Sequence, residues 1–214
     1  MKKQFKQGRL AVNIDHGGVA VAALKCQTDF LANSDLMKET LHEMCVLLSQ
    51  DDCFDKITSL LAKLSEKAKE DIMIYDTNFF VYEDNLTTAY YIHHDHRKIG
   101  VVQIKSEKKC PEIKTLCRDI AMHIVAFDPE ATTMDEIDWT DVDLSLPEDI
   151  MKNKPENILE NIRKGKKKKY AKQHALMDQP FVKDMTKSVS EIIVDYEKSW
   201  DTKIEIDNWD RIEV

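Results

Sequence analysis

The chain of 214 residues carries a formal net charge of −8, with 39 acidic against 31 basic side chains. This acidic balance argues against general binding to a nucleic-acid backbone, because such binding needs a positively charged surface. A chain of this length can bury one large hydrophobic core or two small ones. No apolar run is long enough to span a bilayer, and no apolar signal core follows the basic start, so the cytosol is the expected location.

The five cysteines are an odd number and include no Cys-x-x-Cys pair. Their count and spacing indicate reduced, mostly buried thiols. The sequence also contains no phosphate-binding glycine loop, no G-x-S-x-G and no H-E-x-x-H. It therefore predicts no enzyme, no catalytic residue, no metal site and no cofactor.

Two strands joined by a tight turn are predicted at the start of the chain, over residues 9–14 and 19–26, with the glycine-containing turn at 15–18. The second strand leads to Thr28-Asp29-Phe30 at a strand-to-helix corner, where short anchored loops often carry binding residues. An aromatic ring beside a carboxylate can contact a partner. The residues alone also allow Phe30 to be core and Asp29 or Asn33 to cap the next helix.

Two amphipathic helices follow, with N-cap candidates at residues 33–35. Apolar residues at helical spacing mark them, in the first Met37, Leu41, Met44, Cys45 and Leu48, and in the second Phe54, Ile57, Leu60, Leu61 and Leu64. Four β-rich runs at residues 72–75, 79–82, 89–92 and 99–104 are then predicted to form an antiparallel meander.

The second half again mixes helix and strand. A helix is predicted to start at Pro111, with His123 at the edge of its apolar stripe. After a polar, acidic segment from residue 130 to 146, Pro147 and Pro155 favour two further helix starts. An extended corner at 179–181, a short helix at 189–193 and a strand at 203–206 complete an α+β pattern.

Four runs resemble one family in the same order along the chain. They are Cys26-Gln27-Thr28-Asp29-Phe30-Leu31-Ala32, Arg97-Lys98-Ile99-Gly100-Val101-Val102, the helix motif from Asp119 to Ala126, and the corner from Gln179 to Asp184 that is followed by Lys187-Ser188-Val189. Together they resemble bacterial and organellar elongation factor Ts, the guanine-nucleotide exchange factor for elongation factor Tu.

The resemblance implies two subdomains with antiparallel sheets packed against helices, at residues 1–106 and 107–214. It also implies a helical-hairpin protrusion at about 130–176, which looks shortened in its first arm. The signature loop lies so early that a short form is expected, without the family's leading ubiquitin-associated-like domain. A homodimer of the complex with elongation factor Tu is a further assembly that the resemblance allows.

The resemblance also implies a mechanism and a set of contacts to elongation factor Tu. In the family, an Asp-Phe pair enters between helices of the partner's G domain and disturbs its Mg²⁺ and phosphate sites. Carried onto this sequence, Phe30 is the wedge and Asp29 its polar companion, within a loop that includes Thr28 and Leu31. Ile99 and Gly100 would contact the same domain, and His123 another domain of the partner.

Two alternatives remain open from the residues. Histidines and a carboxylate can bind a transition metal, so His93, His94 and His96 beside Asp95 form a candidate site, although only His94 and His96 would share a strand face. The basic run Lys164–Lys169 could contact RNA or the ribosome, or act as a targeting signal, although the chain's acidic charge makes a nucleic-acid partner the weaker prediction.

Overall fold

The structure is a computed structural model that describes residues 5–50, 52–140, 142–147 and 155–214. The strands are β1 (Gln7–Ile14), β2 (Gly18–Cys26), β3 (Met73–Val81), β4 (Leu86–Ile92), β5 (Lys98–Ser106), β6 (Pro180–Phe181), β7 (Asp184–Ser188) and β8 (Ile204–Glu213). The helices are α1 (Asp29–Asn33), α2 (Asp35–Leu48), α3 (Phe54–Ala68), α4 (Pro111–Phe127), α5 (Glu156–His174) and α6 (Val189–Trp200). The predicted α+β class is confirmed.

The chain divides into two compact units, one running to Val125 and joined by Glu205–Val214, the other comprising Ala126–Ile204. The first unit therefore includes most of α4 and most of β8, which were expected in the second half. Its two sheets have strand orders β1-β2-β3 and β4-β5-β8. The pairings of β1 with β2, β2 with β3, and β4 with β5 are antiparallel.

Strand β2 is the centre of the first unit because both of its faces are buried. Successive side chains of a strand point to opposite faces, so one continuous apolar run can serve two layers. On one face Ala22 and Leu24 pack with α1, α2 and α3. On the other, Val21 and Ala23 pack against Val101 of the second sheet. This double burial anchors the end of β2, from which the Thr28-Asp29-Phe30 segment leaves.

Helix α4 covers the second sheet on the face opposite the first sheet. Its thiol Cys117 Sγ donates to the carbonyl oxygens of Thr87 on β4 and Val102 on β5, each at 3.2 Å. Gly100 lies against the helix backbone, since a Cβ on it would be 2.5 Å from the Ala121 carbonyl oxygen. Close approach between strand and helix thus depends on the absence of a side chain at residue 100.

The second unit contains α5, the β6–β7 hairpin and α6. Helix α6 begins with a capping box, in which Ser188 Oγ accepts from Glu191 N at 3.2 Å and the Glu191 carboxylate accepts from Ser188 N at 2.7 Å. Gln179 is buried, and its side-chain amide donates to the Gln173 and Phe127 carbonyl oxygens at 2.7 and 3.2 Å. The predicted extended corner is therefore tied to the end of α5.

The predicted meander is wrong in its first half, whereas its last two runs pair antiparallel as β4 and β5. The runs at 72–75 and 79–82 contribute to one strand, β3, which pairs with β2 and not with β4. The second sheet is completed by β8 from the end of the chain. The predicted strands β1 and β2 and helices α2 and α3 are present. Phe54, expected in the buried stripe of α3, is the first residue of that helix and is 76% exposed.

The region of the expected protrusion contains one long helix, α5, in its described part. Residues 130–140 and 142–147 contain a single short 3₁₀ turn, Met134–Glu136, and are otherwise irregular. The helix start expected at Pro147 falls on residues 148–154, which lie outside the described residues. Ala131 and Ile137 pack against Ala171 and Ala175, so this irregular segment lies along α5.

All five cysteines are free thiols, and Cys26, Cys45 and Cys117 are buried. Burial raises the pKa of Cys45 and of Cys117 to about 12. A thiol with so high a pKa carries almost no nucleophilic thiolate near neutral pH, so these two side chains act as packing groups. No helix in the described part of the chain combines the length and apolarity that crossing a membrane would require.

Candidate functional site

The Phe30 ring is the most exposed large apolar side chain of those the structure describes, at 86% of its surface. It lies on α1, a helix of only five residues that the sequence did not predict. Asp29 and Thr28 beside it are also exposed. The Asp29 carboxylate makes no hydrogen bond or ion pair with any described residue. Ring and carboxylate are both open to a partner, and the alternative that Phe30 is core is excluded.

Helix α1 is too short to be stable alone, because a helix gains stability only after a costly first turn. Its backbone is closed at both ends by side chains. Thr28 Oγ1 accepts from Leu31 N at 3.2 Å as the N-cap, and Ser34 Oγ donates to Leu31 O at 2.8 Å. Asn33 Nδ2 adds a bond to Asp29 O at 2.9 Å. Leu31 and Ala32 are buried below, so the exposed ring stands on an anchored turn.

A distant carboxylate completes the base of this turn. Glu70 Oε1 accepts from Thr28 Oγ1 at 2.6 Å, and Glu70 Oε2 accepts from the backbone N–H groups of Gln27 and Thr28, each at 3.2 Å. Glu70 follows α3 and is 42 residues from Thr28 in sequence. Sequence reasoning missed it, because a lone glutamate after a helix carries no local signal for a contact of such long range.

The structure does not bring all seven predicted contact residues to the surface. Thr28, Asp29 and Phe30 are exposed. The other four are buried in this chain, namely Leu31 at 5% exposure, Ile99 and His123 at 0%, and Gly100. The motif match therefore nominated both exposed residues, which can contact a partner directly, and residues that are buried in this chain.

The edge position predicted for His123 is wrong. Its side chain is fully buried, although it is polar. The buried face of α4 is wider than the apolar stripe used for the prediction, since it also includes Ala121 and Val125. Burial of that whole arc takes the His123 ring inside this chain, and a contact between His123 and a partner stays a prediction.

The histidines of the metal alternative form the turn between β4 and β5, not a strand. His96 N donates to His93 O at 2.9 Å, and His96 has a positive φ of 56°. Asp95 already accepts from Arg97 N at 2.9 Å and lies 2.9 Å from His93 Nδ1. Within the described ranges no three His, Cys, Asp or Glu side chains converge where they could hold a metal ion. The turn geometry therefore gives the metal alternative no support.

The basic run lies on α5 and is partly engaged by the chain itself. Lys164 pairs with Glu160 at 3.3 Å, Lys166 donates to the Ser145 carbonyl oxygen, and Lys167 lies 4.7 Å from the centre of the Trp139 ring. The next two lysines of the run are exposed. No described contact identifies a polyanionic ligand, and RNA binding by Lys164–Lys169 stays a prediction.

Comparison with known proteins decides the family. The family model described as elongation factor TS matches residues 27–214 of this chain. The chain belongs to the elongation factor Ts family. The matched range includes the exposed loop, the buried Ile99-Gly100 pair and His123, so the resemblance first seen in four short runs extends over most of the sequence.

Individual relatives agree with this assignment. An elongation factor Ts of Clostridium acetobutylicum is 30% identical, over 97% of this chain and 76% of its own length. Those of Borrelia duttonii and Amoebophilus asiaticus are 28% and 29% identical, over 95% and 88% of this chain and 78% and 72% of their own. Membership in the elongation factor Ts family supports a role in translation elongation.

Proposed function

We propose that this chain is a guanine-nucleotide exchange factor that accelerates GDP release from elongation factor Tu. Membership in the elongation factor Ts family supports the partner and the reaction. The observation that carries the proposal is the Phe30 ring, 86% exposed on a helix whose ends are capped. An aromatic side chain exposed to water in this way contributes little to the stability of its own fold. Aromatic residues are enriched at protein interfaces.

The physical task of an exchange factor sets what the loop must do. A nucleotide bound with a nanomolar dissociation constant is held by about 12 kcal/mol and leaves slowly, even when its association is diffusion-limited. The exchange factor must weaken the Mg²⁺ and phosphate contacts of the partner while it binds. Because coupling is reciprocal, bound GDP must weaken the exchange factor's own binding by the same factor.

In this proposal Phe30 is the wedge that enters between helices of the partner's G domain. Transfer of the ring from water into an apolar crevice contributes about 1.5–3 kcal/mol of binding free energy. This contribution can offset the free-energy cost of distorting the partner's nucleotide site. Asp29 adds a carboxylate that can accept hydrogen bonds or meet a cation at the rim. Neither residue performs covalent chemistry, and the proposal includes no catalytic side chain.

The buried members of the motif take a different part. Leu31 anchors α1, and Ile99, Gly100 and His123 hold the sheet and helix α4 together. We infer that they affect the partner through the shape of the surface that they support. This division between direct and supporting residues follows from their exposure in the chain.

The test is stopped-flow release of a fluorescent GDP from elongation factor Tu in the presence of the full chain. Wild type is expected to accelerate release, and Phe30→Ala to lower the accelerated rate by roughly 10- to 100-fold, the equivalent of one lost apolar ring. Phe54→Ala is the matched control, because Phe54 is also exposed at a helix start, at 76%. Absence of acceleration by wild type, or equal losses in both variants, contradicts the proposal.

A further inference from the structure

Glu70 is the one acidic side chain among the described residues that contacts the base of the exposed loop at three points. It accepts from the Thr28 hydroxyl and from two consecutive backbone N–H groups, at 2.6, 3.2 and 3.2 Å. The two N–H groups lie between the end of β2 and the start of α1, where no strand or helix partner takes them. A carboxylate is well suited to this position, because it presents two acceptor oxygens and no donor.

The Thr28 hydroxyl links Glu70 to the helix that carries Phe30. This hydroxyl donates its one hydrogen to Glu70 and accepts from Leu31 N at 3.2 Å. Since the hydrogen is directed at Glu70, an oxygen lone pair is left facing the helix N–H. The carboxylate therefore sets the orientation in which Thr28 can act as N-cap. Hydrogen bonds in such chains strengthen one another.

Glu70 is itself held in place by the end of α3. Lys69 ends that helix in the left-handed conformation, with φ of 59°, and its N–H donates to Ser65 O at 2.9 Å. Ser65 Oγ then donates to the Glu70 carbonyl oxygen at 2.6 Å. This reversal of the chain directs the Glu70 side chain toward Thr28. Gln27 Nε2 adds a bond to Asp71 at 3.3 Å, so the two segments are joined at two successive residues.

We propose that Glu70 is a positioning residue for the exchange reaction, which holds the start of α1 and so presents Phe30 in its binding geometry before a partner arrives. The inference rests on the function proposed above for Phe30. A loop that is ordered before binding loses less conformational entropy on binding. Glu70 does not touch the partner in this proposal and acts only through Thr28 and the two N–H groups.

The first test uses the free chain and needs no partner. Amide hydrogen exchange followed by nuclear magnetic resonance is compared for wild type, Glu70→Ala and Glu70→Gln. Exchange at Gln27, Thr28 and Leu31 is expected to rise at least about tenfold in Glu70→Ala, since hydrogen bonds to a charged acceptor are among the stronger ones. Glu70→Gln, which keeps one acceptor oxygen, is expected to lie between the two.

Glu66→Ala is the matched control, because Glu66 is exposed on the last turns of α3, the helix that precedes Glu70. Glu66 makes no described contact with the loop. It should leave all three amides unchanged. A double-mutant cycle with Thr28→Val adds a readout that a general loss of stability would not move. The effect of Glu70→Ala on amide exchange at Leu31, which depends on the Thr28 hydroxyl, should shrink once that hydroxyl is absent.

The second test measures GDP release from elongation factor Tu. Under conditions where the variant remains folded, Glu70→Ala is expected to slow accelerated GDP release by about tenfold. Glu70→Gln is expected to restore part of the rate. Unchanged amide exchange overturns the positioning role outright. Faster amide exchange with an unchanged release rate overturns its link to the reaction. If Phe30→Ala also leaves release unchanged, it is the proposed function that fails, and the amide data still decide whether Glu70 holds the loop.

Discussion

Phe30 and His123 lie at opposite extremes of exposure, 86% against 0%, although the family resemblance nominated both as partner contacts. Phe30 stands on a five-residue helix held by hydrogen bonds from side chains. His123 lies in the buried face of a seventeen-residue helix packed in the core. A family motif can therefore include residues that contact a partner and residues that only support the fold, and the motif alone does not distinguish them.

The same contrast separates two of the four runs that carry the family resemblance. The exposed loop depends on directional bonds to Thr28 and Glu70. The Ile99-Gly100 segment depends on contact between strand β5 and helix α4. Substitutions in the buried segment should therefore change the free energy of unfolding most, and substitutions at the exposed tip least.

The largest expected effect is that of Gly100→Ala. A Cβ at this position would lie 2.5 Å from the Ala121 carbonyl oxygen and 3.2 Å from Val125 Cγ2. Since a helix backbone cannot move aside alone, the strand and helix must separate, and the free energy of unfolding should fall by about 3 kcal/mol. Urea denaturation followed by circular dichroism measures this.

Gly165→Ala is the control for the same change of side chain. Gly165 lies inside α5, and a Cβ on it would meet nothing within 4 Å. Replacement of an exposed helical glycine by alanine should stabilise by about 1 kcal/mol. A loss of less than about 0.5 kcal/mol for Gly100→Ala would show that the strand and helix are not in close contact.

His123→Ala should cost about 2 kcal/mol of stability, since it removes a fully buried side chain and leaves a cavity. Titration calorimetry against elongation factor Tu should then show weaker binding that appears together with this loss of stability, because His123 supports the binding surface from within. A variant of unchanged stability but clearly weaker binding would instead make His123 a direct contact and remove the contrast with Phe30.

Sequence reasoning predicted the elements whose signals are local. The β1–β2 hairpin follows from its glycine turn and apolar strands, and α2 from its stripe and the Ser34 cap. It failed where the deciding partner is distant. Strand β3 pairs with β2 across the three intervening helices, and Glu70 reaches Thr28 from 42 residues away. The seven nominated site residues came from the family motif, and only the fold could separate exposed from buried members.

Thr28→Val tests the directional bonds of the exposed loop. It keeps the branched shape but removes the hydroxyl that caps α1 and binds Glu70. The expected loss is about 1 kcal/mol, typical of a lost N-cap. Thr58→Val is the control, because the Thr58 hydroxyl only donates to Phe54 O within its own helix. Equal losses of unfolding free energy in the two variants would indicate that the hydrogen bonds of the Thr28 hydroxyl do not stabilise the loop.

His96, half-buried in the turn beside Ile99, should show a smaller effect that depends on pH. Burial lowers the pKa of His96 below the ordinary 6.5. The positive charge of Arg9 lowers it further, and the negative charge of Asp95 opposes this shift. The unfolded chain therefore binds the proton more readily, so stability should fall as pH drops through 6.5 towards the lower folded pKa. His96→Asn, which tolerates the positive φ, should lose less stability than wild type between pH 7.5 and 5.5, as measured by urea denaturation. Equal losses would exclude His96 as the source.

Phe30→Ala should change the free energy of unfolding least, by no more than about 0.5 kcal/mol, because the ring is 86% exposed and leaves no cavity. Its melting temperature and urea midpoint should match those of wild type, while its effect on GDP release is expected to be large. This combination separates the two kinds of residue. Substitution of a supporting residue should lower both exchange activity and stability, whereas substitution of a direct contact should lower exchange activity alone. A clear loss of stability in Phe30→Ala would mean that the ring packs within the chain in solution, and the wedge would then have to be sought elsewhere on α1.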